Sequence, residues 1–245
     1  MANLITFSVF IPLATGIIPA LIWLWFWLKE DREHPEPKRL IVKTFLLGMF
    51  VVVIALGLEY TLHLLVKGSD TININSGIIF IISLAFIEEV VKYFAARPAL
   101  KSKNFDEPID AIMYLIIASL GFAAMENVFF LISMFKDGGL TIGFLTGNMR
   151  FLGANLLHSM TSAVVGISIA LSYYRRKTIK LAYLGVGVIL ATLLHAIFNL
   201  YIIKMSGQNN LNVFLGLWIF TIIIIMAFEK VKRIKIKQRK LEQAV

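Results

Sequence analysis

Cysteine is absent from the 245-residue chain, so disulfides, thiolate metal sites and a cysteine nucleophile are excluded. Charge is sparse too: Asp, Glu, Lys and Arg make up 16% of the residues, against about 25% in soluble domains. No HExxH occurs, which removes the strongest sequence sign of a zinc peptidase. No GxSxG stands beside a suitable histidine, so serine catalysis has little support. What the chain has instead is apolar surface, 58% of its residues with a mean hydropathy of +0.80. That balance excludes a secreted disulfide scaffold, a disordered chain and an ordinary cytosolic enzyme, and leaves a polytopic membrane protein.

Seven apolar stretches, near 4–28, 40–66, 77–95, 111–135, 151–174, 180–204 and 213–229, are each long enough to cross a hydrocarbon core as a helix. The polar segments between them are too short to hold a soluble domain. The expected fold is therefore all-α, one transmembrane domain over 1–245 with about seven spans and a basic tail at 229–245. The first stretch is too long for a signal peptide and has no basic n-region, so it counts as a span. Lys and Arg set the orientation. The connections 29–39, 96–110 and 175–180 and the tail carry 18 of them, whereas 67–76, 136–150 and 204–212 carry 4. This puts the N-terminus outside and the C-terminus in the cytoplasm. The net charge of +9 is thus a topology signal that also touches anionic lipid. The tail lacks aromatic residues for base stacking, so nucleic acid is not an expected partner. Trp23, Trp25 and Trp27 read as a cytoplasmic aromatic belt, the glycine-rich stretch 137–149 as a mobile outer loop, and Arg150 as a snorkelling anchor.

Polar residues inside the spans carry the functional signal, because charge in lipid is costly and usually marks function. Span 3 contains Glu88-Glu89-x-x-Lys92, span 4 Glu126-Asn127, span 5 Asn155-x-x-His158-x-x-Thr161-Ser162, and span 6 His195-x-x-x-Asn199. His195 and Asn199 share a helix face, as do His158 and Thr161. Glu88 and Glu89 lie about 100° apart on their helix, and Lys92 is within reach of either. One glutamate is expected to face the site while the other, held by Lys92, orients it; the spacing leaves open which is which. At 1.5 Å per residue, Glu88, Glu126, His158 and His195 all fall roughly 10–18 Å below the outer edge. Scattered packing residues would not share a depth. Glu59 and His63 form another i, i+4 pair but sit near the outer rim, where an interfacial role is expected.

A buried carboxylate can take a proton from water and return it, while His and Asn steady a developing oxyanion. The same residue types suit zinc, with His158, His195 and Glu126 as ligands and a paired glutamate as base. The metal-free route is favoured, because the paired glutamates with Lys92 already supply a tunable base and Asn199 beside His195 suits an oxyanion. No cofactor is therefore expected, with Zn2+ as the alternative.

In order on successive spans, Glu88-Glu89-x-x-Lys92, Glu126-Asn127-x-x-Phe130, His158-x-x-Thr161 and His195-x-x-x-Asn199 resemble the PrsW-type intramembrane proteases. These belong to the wider superfamily that includes the CAAX prenyl endopeptidases. The resemblance covers roughly 77–204, which it implies is the catalytic core. It implies an all-helical membrane endopeptidase with Glu88, Glu89, Glu126, His158 and His195 in its active site, and Asn199 beside them. Lys92, Asn127 and Thr161 would support that set. Lys92 stands where CAAX endopeptidases have an arginine one residue later, which points to the PrsW branch. Such proteins act on membrane-bound anti-sigma factors from the extracytoplasmic side. The expected setting is thus the bacterial cytoplasmic membrane, with a membrane-bound protein as substrate and the bilayer as the other partner. The rival classes are a proton- or ion-coupled transporter, disfavoured by the lack of paired broken helices, and a non-enzymatic scaffold, disfavoured by retention of the whole polar set. The orientation is tested with reporters. One fused after residue 245 should be cytoplasmic and one within 137–149 extracytoplasmic; a cytoplasmic 137–149 reporter would place the site in the inner half.

Overall fold

The computed structural model describes residues 2–31, 35–67, 74–204 and 211–242. Residues 32–34, 68–73, 205–210 and 243–245, which enter the charge count and the tail, lie outside the described residues. Among the described residues every regular element is a helix: α1 (Ala2–Glu30), α2 (Lys38–Lys67), α3 (Ile74–Leu100), α4 (Pro108–Leu152), α5 (Ala154–Leu171), α6 (Lys177–Lys204) and α7 (Leu211–Glu242). Among the described residues, five stretches are long and apolar enough to cross a membrane: Phe10–Glu30, Lys38–Val66, Pro108–Asp137, Gly139–Leu171 and Lys177–Ile202. Helices α3 and α7 match them in length, and α3 carries Glu88, Glu89 and Lys92 within its run. The molecule is a multi-pass helical membrane protein.

The first limb of α4 is its axis. Every residue from 107 to 124 is buried, so this segment has no lipid-facing side and must be surrounded by other helices. It packs against α1, α2, α3, α5 and α7. Its start is fixed locally: the Asp110 carboxylate accepts the backbone N–H groups of Asp106 (3.0 Å) and Glu107 (2.8 Å), and Pro108 occupies the first turn. Apolar burial gives little drive for helix association inside lipid, so close backbone approach matters more. A Cβ on Gly48 of α2 would lie 2.0 Å from the Ala118 carbonyl oxygen, and one on Gly121 of α4 would lie 2.0 Å from that of Phe45. The two glycines let α2 and α4 touch backbone to backbone.

Two expectations are corrected. The stretch 137–149 is not a loop: α4 reverses at Gly139 (φ 71°, ψ −170°) and its outer limb is helical to Leu152. Gly143 and Gly147, four residues apart, lie on one side of that limb; a Cβ would come within 2.2 Å of the Phe135 ring at the first and 2.7 Å of Thr15 at the second. Glycine here serves helix packing, and only Gly139 serves the turn. The tryptophans do not form a common belt either. Trp27 is fully buried, Trp23 donates its indole N–H to the Phe151 carbonyl (3.2 Å) and packs near Trp218, and Trp25 alone is exposed. Trp23 and Trp27, one turn apart, join α1 to α4 and α7, while Trp25 between them points the other way.

Replacing Gly48 or Gly121 by Val should force α2 from α4 and cost at least the roughly 1–3 kcal/mol of core overpacking. Gly57→Ala, where a Cβ meets nothing within 4 Å, should leave stability unchanged or slightly raised. Thermal unfolding of the detergent-purified variants decides the comparison.

Candidate active site

Glu89 lies at the meeting point of three helices. Its side chain is fully buried, and one oxygen, Oε1, accepts hydrogen bonds from Lys92 Nζ of α3 (2.7 Å), Thr161 Oγ1 of α5 (2.9 Å) and His195 Nδ1 of α6 (2.8 Å). Charged hydrogen bonds of this length are the strong class, and in a low dielectric an unpaired carboxylate would be far costlier than this one. Lys92, itself wholly buried, lies 2.9 Å from His158 Nδ1 and 4.9 Å from the centre of the Phe122 ring. An ammonium has donors only, so His158 Nδ1 accepts and its proton sits on Nε2. That Nε2 donates to Glu126 Oε2 at 2.9 Å. His195, donating from Nδ1 to Glu89, turns Nε2 toward Glu88. The partners thus set both imidazole orientations.

Glu88 has a different environment. Its side chain is 11% exposed, and its Oε2 has no hydrogen-bond partner. Around that oxygen stand Lys92 Nζ at 3.7 Å, His158 Nδ1 at 3.7 Å and His195 Nε2 at 3.8 Å. Glu88 lines a cavity of about 340 Å³ together with Glu126, Arg150, His158, His195 and Asn199. One residue along the helix, Glu89 points away into the three-helix node. The adjacent pair is therefore divided into a carboxylate facing the cavity and a carboxylate tying helices together.

Arg150 is not a snorkelling anchor. Helix α4 extends past Gly139, so Arg150 falls near the end of a packed limb and points inward. Its Nη2 donates to Glu126 Oε2 at 2.8 Å, its Nε donates to Asn127 Oδ1, and its guanidinium lies 4.5 Å from the centre of the Phe130 ring. Asn127 in turn donates to Asn155 Oδ1 at 3.3 Å. The sequence signal for this role was the i, i+4 spacing of Gly143 and Gly147, which marks a helix face leading to Arg150. Glu59 and His63 do not line the cavity; the His63 ring lies 6.2 Å from that of Phe80.

The nine residues singled out from the sequence lie in one connected region: Glu88, Glu126, His158, His195 and Asn199 on the cavity, and Glu89, Lys92, Asn127 and Thr161 behind it. The metal-competent trio differs from the expected one. Ligand atoms of Glu88, His158 and His195 all lie within 4.8 Å of one another, whereas Glu126 is engaged by both Arg150 and His158. The unpartnered Glu88 oxygen and the open His195 Nε2, with a carboxylate behind its Nδ1, fit a zinc site. His158 would first have to release Lys92 or Glu126.

The chain is similar to known proteins over most of its length. The family described as "PrsW family intramembrane metalloprotease" matches residues 36–227. Protease PrsW of Clostridioides difficile (strain 630) is 33% identical over 192 residues, covering 75% of this chain and 76% of the relative. Protease PrsW of Oceanobacillus iheyensis is 31% identical over 196 residues, covering 78% and 82%. Protease PrsW of Bacillus subtilis (strain 168) is 24% identical over 222 residues, covering 89% and 90%. No solved structure matches the chain.

The two environments predict opposite stability effects. Lys92→Met strands the Glu89 carboxylate and should cost about 3–5 kcal/mol, the scale for breaking a buried charge pair from one side. Glu88→Gln removes an oxygen with no partner and should leave thermal stability unchanged or higher. The same unfolding assay in detergent reads both, and equal losses would contradict the division of the pair.

Proposed function

This chain belongs to the PrsW family of intramembrane proteases, and from that premise we propose that it cuts a membrane-anchored protein with water activated by Glu88. Membership of a protease family sets aside the transporter reading. The protein is a multi-pass bacterial membrane protein, and by the distribution of Lys and Arg its cavity belongs to the extracytoplasmic half. The substrate is a membrane-bound protein, an anti-sigma factor or one of similar anchorage, following the resemblance of the four motifs.

The observation that carries the mechanism is the Glu88 carboxylate on the cavity wall, which no hydrogen bond ties down at its buried oxygen. A water in the cavity beside the Glu88 carboxylate attacks the scissile carbonyl while Glu88 takes its proton. The carbonyl oxygen becomes an oxyanion, to which Asn199 presents its amide on the cavity wall. Glu88 then returns the proton to the leaving amine as the C–N bond breaks, so water is split between the two new termini and no acyl-enzyme forms. Glu89 touches none of the reacting atoms. It positions His195 and, through Lys92, His158. Arg150 keeps Glu126 in place as the acceptor for His158.

A second reading has one specific observation behind it, the convergence of Glu88, His158 and His195. A zinc held by these three would supply Lewis-acid polarisation of the scissile carbonyl. The metal-free route is preferred because Lys92 donates to His158 Nδ1 and places a cation 3.7 Å from the same Glu88 oxygen, which opposes a second cation there.

Glu88→Ala and Glu89→Ala should each cut peptide hydrolysis by about 10²-fold or more, the scale of a general base or its positioning. Glu59→Gln, at a residue that does not line the cavity, should change it little. Stringently metal-free protein should keep most of its activity, and elemental analysis should find well under one zinc per chain. Stoichiometric zinc, with activity lost on chelation and restored by zinc alone, would replace the glutamate-only route with the metal one.

A further inference from the structure

The cavity continues past its polar wall. Leu157 of α5 and Phe198 of α6 line it and also line a second, apolar groove of about 240 Å³ between α6 and α7. Buried Leu157 forms the floor of that groove, Leu194 and Tyr201 belong to one wall, and Gly216 and Phe220 to the other. Helices α6 and α7 each pack on α5 but scarcely on each other, which leaves the groove between them.

A protease working on membrane-anchored chains faces two opposed solvation demands. The apolar flank of the substrate must stay out of water, while the peptide bond to be cut must reach polar groups and water. An apolar groove that shares its floor and one wall with the polar cavity meets both demands. A lipid tail would match the groove but brings no peptide bond before Glu88 and Asn199.

We propose that the α6–α7 groove docks the apolar membrane segment of the protein substrate, beside the bond that enters the cavity. This rests on the hydrolytic reading and names where its substrate binds. Side chains that line both spaces, Leu157 and Phe198, then bound the position next to the scissile bond and select for residue size there.

The chain has no cysteine, so single cysteines report cleanly. Gly216→Cys is the probe position, because a Cβ there meets nothing within 4 Å and the helix tolerates it. Ile189→Cys is the control, exposed on α6 beside a crevice against α2 and α3. Both are made in the full chain carrying Glu88→Gln, in phosphatidylethanolamine–phosphatidylglycerol vesicles. The partner is a synthetic single-span peptide of about twenty Leu and Ala residues with a polar outer flank and one cysteine moved stepwise along it. With copper–phenanthroline as oxidant, docking should raise disulfide yield at Gly216→Cys at least about tenfold over Ile189→Cys, through a higher effective concentration. The yield should also peak for peptide cysteines near the polar flank. Equal yields at the two positions, as expected if lipid alone fills the groove, or preference for Ile189→Cys would overturn the proposal. Cleavage by the chain with Glu88 intact is scored in the same vesicles. Selective cross-linking without cleavage supports the groove and removes the hydrolytic reading, and cleavage without selective cross-linking does the reverse.

Discussion

The single oxygen Oε1 of Glu89 holds the active region together. Three donors from three helices end on it within 2.9 Å. In water such an arrangement would be worth little, but inside a membrane-spanning bundle each partner alone would carry a heavy desolvation cost. Removing any one donor leaves the rest under-compensated, so α3, α5 and α6 are fixed relative to one another at this depth. The neighbouring Glu88 inherits its direction from this lock. With Glu89 turned into the node, the next residue back on the helix faces the cavity.

Two chains of hydrogen bonds then order the candidate site. One runs from Glu89 to His195 and leaves Nε2 of that imidazole open beside Glu88. The other runs from Lys92 through His158 to Glu126 and Arg150, and keeps the second imidazole turned edge-on to the first, with ring centres 5.2 Å apart. Groups held in this way need no rearrangement as charge develops, which is where electrostatic catalysis gains most. Among the buried carboxylate oxygens, Glu88 Oε2 takes no hydrogen bond, in keeping with the proposed role of that residue.

Much of this was legible in the sequence because charge in lipid is too costly to be incidental. The i, i+4 relation of His195 to Asn199 and the common depth of Glu88, Glu126, His158 and His195 follow from helix geometry alone. The division of labour between Glu88 and Glu89 does not, since Lys92 reaches both and only the packing of α5 and α6 decides which is bound. Arg150 was misread because glycine density at 137–149 resembles a loop. At Gly143 and Gly147 glycine makes room for a neighbouring helix, and a composition count does not distinguish that use from a turn. The metal-competent trio was likewise out of reach, because Glu88 and Glu126 approach the histidines from different helices and only tertiary distances separate them.

The central claim is that Glu88 exchanges the proton and Glu89 positions. Chemical rescue by formate tests it most directly, because a small carboxylate can occupy the space left by Glu88 on an open cavity of about 340 Å³ but not that left by fully buried Glu89. Formate should restore hydrolysis to Glu88→Ala in a saturable manner, by about tenfold or more, and should do nothing for Glu89→Ala. Rescue of Glu89→Ala with none for Glu88→Ala would contradict the account.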